Sequence, residues 1–248
     1  MARVFTATNY LEDQGWTAVT AAPFTVAIWF YSPADTDNDD CLFQMGNKDV
    51  SNHYWRISAY HDQAPPKLAS VVLAGGATDD VTINEITLNS WQHACFIETS
   101  STNRAIILNG DWANRGTNAV NKSPLNTDSI AIGYENDSSP GDNFEGDLAE
   151  VAIWSAALNQ SEVEALAAGY SALFIRPASL VAYFPLIRGQ ADKMGISTMT
   201  TTGSVGVTAH PPILYPSQVY QSFAAAAAPP VGLSIPIAMH HYRQQGMT

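Results

Sequence analysis

The 248-residue chain carries 11 lysines and arginines against 23 aspartates and glutamates, a net charge of -12, and 46% of its residues are hydrophobic. So acidic a balance lacks the clustered cations that phosphate backbones require, which excludes nucleic acid as a partner, and the length suits one large domain with appendages. No basic segment leads into an apolar stretch at the start, so no signal peptide is read, and SFAAAAAPPVGLSIPIAM, broken by Pro229, Pro230 and Pro236, is too interrupted for a membrane helix.

From Arg3 to about Trp154 the chain is a succession of short runs rich in Val, Ile, Thr, Phe, Tyr and Trp, separated by Gly, Pro, Asn, Asp and Ser clusters. That is the pattern of an antiparallel two-sheet sandwich. In order, FTVAIWFY (24–31), HYWRISAY (53–60), LASVVL (68–73), WQHACFI (91–97), RAIILNG (104–110) and SIAIGY (129–134) are the clearest strands. Cys41 and Cys95 each sit in an apolar run, which favours buried thiols over a disulfide, and no Cys-x-x-Cys spacing is present to hold a metal. Asn109-Gly110 supplies the positive φ of a tight hairpin turn.

One segment reads as a helix, NQSEVEALAAG (159–169), capped by Asn159 or Ser161, with Val163 and Leu166 on one face and Gly169 to end it. SLVAYFPL (179–186) follows as a buried strand, and GSVGVTAH (203–210) as the strand that closes a sheet. Residues 211–248 hold Pro, Ala and Gly with isolated large apolar side chains and show neither a period of 2 nor of 3.6. The expected organisation is therefore a sandwich over 1–210 and an extended C-terminal arm over 211–248.

The order of motifs resembles a laminin-G-like, concanavalin-A-like jelly roll. The strand FTVAIWFY, the W-x-H strand WQHACFI, the hairpin AIILNG and the closing FEGDLAEVAIWSAALNQSEVEAL correspond in sequence order to the family pattern. One departure stands out: the phrase LVAYFPL commonly opens such modules, whereas here it follows the helix. The short start and the PIAMHHYRQ tail resemble proteins of bacteriophage particles. That resemblance implies a non-enzymatic virion protein, assembled in the host cytoplasm as a capsid decoration, cement or tail-associated component. Its arm would grip other virion subunits or copies of itself through Tyr215, Tyr220, Phe223, Ile235, Met239, His240, His241, Tyr242 and Arg243, residue types enriched at interfaces. The alternative the fold implies is a carbohydrate-binding module for host-surface glycans, assisted by calcium.

Two further patterns carry chemistry. FEGDLAEVAIW (144–154) contains the E-x-D-x-x-E spacing, Glu145, Asp147 and Glu150, that resembles the nucleophile and acid of retaining glucanases. In a regular strand Glu150 faces away from the other two, and only a bulge would reunite them; the jelly-roll reading instead puts Val151 and Ile153 in the core and Glu150, Ala152 and Trp154 on the other face. The loop ENDSSPGDN (135–143) occupies the place where some relatives bind calcium, which makes Asp137, Asp142 and Asn143 candidate ligands. The acidic run over 34–40 has Asp35, Asp37 and Asp39 at calcium-loop spacing but lacks the later glycine and glutamate, and reads as a solvated loop. His93 is expected to be structural.

Overall fold

The computed structural model describes residues 1–33, 39–76 and 79–216. Its strands are β1 (Ala2–Phe5), β2 (Tyr10–Asp13), β3 (Phe24–Tyr31), β4 (Asp39–Gly46), β5 (His53–Tyr60), β6 (Lys67–Ala74), β7 (Asp79–Glu85), β8 (Trp91–Ser100), β9 (Asn103–Leu108), β10 (Gly116–Asn118), β11 (Ser129–Ile132), β12 (Gly146–Trp154), β13 (Leu180–Phe184), β14 (Thr200–Thr202) and β15 (Gly206–Thr208). One helix, α1 (Gln160–Ala167), follows β12. The strands form two antiparallel sheets. One is ordered β10-β9-β8-β3-β12-β1-β15, with β13 also on β12, and the other β14-β2-β11-β4-β5-β6-β7.

Alternation along the strands builds the core between them. Phe24, Val26, Ile28 and Phe30 of β3 meet Phe43, Met45, Trp55, Ile57 and Leu68 of the facing sheet in one buried cluster. Each such side chain contributes about 1.5–3 kcal/mol by leaving water. The alternate positions of the first sheet, Ala27, Cys95, Ile97, Ile107 and Trp154, point outward and are covered by Leu158, Val163 and Leu166. Two layers of apolar contact therefore flank this sheet, one from the other sheet and one from the helix. Cys41 and Cys95 are buried free thiols, as the sequence indicated.

The helix begins where its chemistry dictates. Asn159 accepts from the Glu162 backbone N–H while the Glu162 side chain accepts from the Asn159 backbone, a reciprocal capping box. Gly169, at φ +89°, sits past its end. The Asn109-Gly110 pair takes positive φ at both residues, and Asp111 N donates to Leu108 O at 3.0 Å. The strand does not turn straight back, however; the chain runs on past Trp112 and Arg115 before β10 pairs with β9.

The displaced LVAYFPL segment finds a specific seat. β1 pairs with β12 at Gly146 to Leu148, and β13 pairs with the same edge at Val151 to Trp154. One strand edge is thus shared by segments from opposite ends of the chain. Among the described residues no helix is long and apolar enough to cross a membrane. The compact unit runs from Met1 to Tyr215. Leu214 N donates to Gly169 O at 2.7 Å and Ser171 N to Leu214 O at 3.0 Å, so residues up to Tyr215, read on sequence as the root of the arm, are held on the sandwich. Tyr220, Phe223, Ile235, Met239, His240, His241, Tyr242 and Arg243 lie outside the described residues.

Candidate functional site

The outer face of the seven-stranded sheet carries a polar row set by strand register. Glu12 lies opposite Ala131, Ala131 opposite Gln44, and Gln44 opposite Arg56, so their side chains share one face. The loop that leaves β11 folds over this row. Gln44 Nε2 donates to Asn136 O at 2.7 Å and Asn136 N donates back to Gln44 Oε1 at 3.1 Å. Gly133 starts the loop at φ +78°, and a Cβ there would lie 2.4 Å from the Phe5 ring, so only glycine fits.

Beneath the loop, buried Arg56 donates through Nη1 to Glu135 Oε2 and to Asp142 Oδ2, the latter at 2.5 Å. Its guanidinium carbon is 5.5 Å from the centre of the Tyr54 ring. Burial, with Asp142 and Asp137 nearby, pushes Glu135 up to about 7 against the pull of Arg56. At the rim, Tyr10 stacks on Tyr134 with centroids 4.0 Å apart and planes 12° apart. Glu12 beside it accepts from Asn136 Nδ2 at 3.3 Å and from Gln14 Nε2 at 3.0 Å. Tyr10 and Glu12 are half-buried, which leaves a rigid aromatic and carboxylate edge facing outward.

The three calcium candidates come together in this loop, but with other partners. Asp137 accepts from Asn52 N at 3.1 Å and from Ser139 N at 2.6 Å, one bond on each oxygen. Asp142 is paired with Arg56, and Asn143 forms a β-bridge with Cys41. A guanidinium thus occupies the neighbourhood that the sequence reading gave to a cation. Among the described residues no group of three or more His, Cys, Asp or Glu side chains is arranged to hold a metal ion. Asp35 and Asp37 of the acidic run lie outside the described residues.

The second candidate, the E-x-D-x-x-E run, behaves unlike a regular strand. The pairing of β12 with β3 slips between Ala149 and Ala152, and Glu150 takes φ +56°, so a bulge does occur where only a bulge would reunite Asp147 with Glu150. Leu148 on one side of it and Val151 and Ile153 on the other all join the inter-sheet core. Glu150, at the bulge, is only 6% exposed. Tyr183 Oη donates to its Oε2 and Tyr215 Oη to its Oε1, both at 2.6 Å, and His210 Nε2 is 3.3 Å from Oε1. His210 Nδ1 meets Pro211 O at 2.9 Å and Nε2 meets Pro185 O at 3.2 Å. Burial alone would lower the His210 imidazole; Glu150 and the two carbonyls outweigh it and hold the group above its usual value. The carboxylate that a glucanase would use is here a clasp between β12, β13 and residues 210–215.

Gly146 permits a close approach of β12 to β3, since a Cβ there would lie 2.5 Å from Tyr31 O. His93 is buried on the helix-covered sheet, its ring 5.5 Å from that of Trp29, and burial pushes it down to about 3. Another grouping is not visible in the sequence. Ser32 Oγ lies 2.6 Å from His61 Nε2, and His61 Nδ1 lies 3.1 Å from Asp40 Oδ2. The spacing is that of an activated serine, yet the His61 Nδ1–Asp40 Oδ2 contact is not aligned as a hydrogen bond, Ser32 is 1% exposed and the imidazole is fully buried, so the hydroxyl meets no solvent and the three side chains pack the end of β3 against β4 and the end of β5. One residue on β4 and two just past the ends of β3 and β5 carry no common sequence signal.

Fold and outer face together define a lectin-like jelly-roll sandwich. Residues 5–164 match the Laminin_G_3 model of the concanavalin A-like lectin/glucanases superfamily, and the chain belongs to that family. Among solved structures, a Bacteroides ovatus protein assigned to carbohydrate binding shares 20% identity at a TM-score of 0.62, over 86% of this chain and 61% of its own; this chain therefore spans less than two thirds of that protein. The CBM40 module of Ruminococcus gnavus IT-sialidase, bound to α2,3-sialyllactose, shares 11% identity at 0.54 over 67% of this chain and 97% of its own. Full-length tailspike protein 2 of an Escherichia coli O157:H7 bacteriophage shares 12% identity at 0.54 over 76% of this chain and 27% of its own. No curated protein matches the sequence.

Proposed function

We propose that the chain is a non-catalytic glycan-binding module whose contact surface is the rim of the seven-stranded sheet around Tyr10 and Glu12. The observation that carries the reading is the pre-set platform there: a stacked tyrosine pair 4.0 Å apart, beside a carboxylate already held by Asn136 and Gln14. Sugar rings present apolar C–H faces to aromatic planes and hydroxyls to carboxylates and amides, so a rigid surface of this composition binds them with little ordering cost. The saccharide bound by the CBM40 neighbour supports the class of ligand, and glycans are accordingly the expected partner. A glycan array probed with the full chain and with Tyr10→Ala tests this. Loss of the aromatic anchor is expected to weaken binding by about tenfold or more; retention of full signal by Tyr10→Ala would refute the surface, and silence of the wild type on all glycans would refute the function.

A finer reading places the module on a phage particle, as a decoration, cement or tail-associated protein, with residues beyond Tyr215 docking on a neighbouring subunit. It is supported by the Pro- and Ala-rich composition of that segment and its isolated large apolar side chains, of types enriched at interfaces. Because Leu214 and Tyr215 belong to the sandwich, the truncation that tests it ends at Pro216. The shortened chain should fold and fail to assemble; normal incorporation would rule the docking role out.

A further inference from the structure

A cleft of about 320 Å³ opens on the opposite side of the molecule, on the helix-bearing sheet. It lies between the amino end of α1 and the β8-β9-β10 edge, and none of its lining overlaps the Tyr10 rim. Ile97 and Leu158, both buried, make an apolar floor. Trp112 forms one wall, half-buried and packed on the cluster beneath the helix. The turn after Asn109-Gly110 delivers that indole here.

The rim is polar and its hydrogen-bonding capacity is open. Thr99, Asn103 and Thr117 are exposed, and their side chains make no hydrogen bond within the protein among the described residues. They stand on β8, β9 and β10, which are locked from the other face. Buried Arg104 is paired with Glu98 through two bonds, at 2.8 and 3.2 Å, and donates to the carbonyls of Ser101, Val120 and Lys122. Among the described residues, Arg115 is the one charged residue lining the cleft. Its guanidinium carbon lies 4.9 Å from the Trp112 ring centre, and Nη1 donates to Trp112 O at 2.6 Å, which orients the planar fork while its other N–H groups have no partner among the described residues.

We propose that this cleft is a second saccharide site, selective for a sugar bearing a carboxylate. Its volume is at the lower end of small-molecule pockets, about 300–1,000 Å³, enough for roughly one or two sugar rings. The indole and apolar floor receive the ring, Thr99, Asn103 and Thr117 meet its hydroxyls, and Arg115 pairs the acid. In a chain with a net charge of -12, a lone oriented arginine in a cleft is a local feature that attracts an anion against the overall field. The inference rests on the glycan-binding reading above but concerns a different surface.

The test titrates the full chain with methyl glucuronide and methyl galacturonide, each against its uncharged glucoside or galactoside. The readouts are the Trp112 indole N–H resonance and the dissociation constant. At least one acid should bind about tenfold or more tightly than its uncharged partner and move the Trp112 signal; Arg115→Gln should abolish the difference, while Tyr10→Ala should leave it intact. Arg115 is exposed, so its replacement spares the core. Equal binding of acid and uncharged sugar, an undiminished preference in Arg115→Gln, or no binding of any of the four would overturn the cleft as an acidic-sugar site. If the array still reports Tyr10-dependent binding in that case, the module reading stands and only this site falls.

Discussion

Replacing Glu150 by glutamine keeps the shape of the clasp and removes its charge. In the protein as folded, each carboxylate oxygen accepts a tyrosine hydroxyl at 2.6 Å, and His210 lies 3.3 Å from one of them. Hydrogen bonds to a charged group contribute about 1.5–3 kcal/mol against about 0.5–1.5 for neutral ones, so weakening two of them and the histidine contact should cost about 2–4 kcal/mol. For a domain of this size that is roughly 5–12 °C in Tm. The pH dependence supplies a second signature. The His210 value is raised on folding, so its contribution is complete below its unfolded value of about 6.5 and is lost as pH rises through the folded value. Calorimetric melting of wild type and Glu150→Gln between pH 5.5 and 8.5 should show a gap that narrows with pH. A variant as stable as wild type, within about 0.5 kcal/mol at pH 6, would refute the clasp.

Three other consequences are open to measurement. His93, pushed down to about 3, should stay neutral on NMR titration until well below pH 5; because its folded value is depressed, its contribution is present above about 6.5 and falls away as pH drops, and titration near 6 would contradict its burial. Asn159→Ala removes the side-chain half of the capping box and should cost about 1 kcal/mol in denaturant unfolding, whereas no change in midpoint would show that tertiary packing alone holds the helix. Addition of EDTA should alter neither glycan binding nor Tm, since Asp137 and Asp142 already hold backbone N–H groups and Arg56; a calcium-dependent Tm would reverse that reading.

Much of the sandwich was legible because burial on one or both faces imposes a two-residue period, and FTVAIWFY and HYWRISAY coincide with whole strands. The assignment of Val151 and Ile153 to the core and Ala152 and Trp154 to the far face was legible for the same reason. The bulge at Ala149 and Glu150 was not, because nothing in the local sequence distinguishes a residue at φ +56° whose side chain is fixed by partners up to 65 positions away. The candidate site shows the same divide. The loop over 135–143 could be located, but the cation it meets is Arg56, hidden in a strand where its neighbours Trp55 and Ile57 suggested only core. The Ser32–His61–Asp40 chain and the Trp112–Arg115 wall likewise depend on strand order and loop path, which periodicity does not encode.

The most direct measurement is quantitative binding of array-identified glycans to wild type, Tyr10→Ala and Arg115→Gln, at one pH and with the folded state of each confirmed. The lectin-like account expects saccharide binding by the wild type that drops about tenfold or more on loss of the Tyr10 ring. Binding that is indifferent to Tyr10, or a wild type that takes no saccharide, would contradict it.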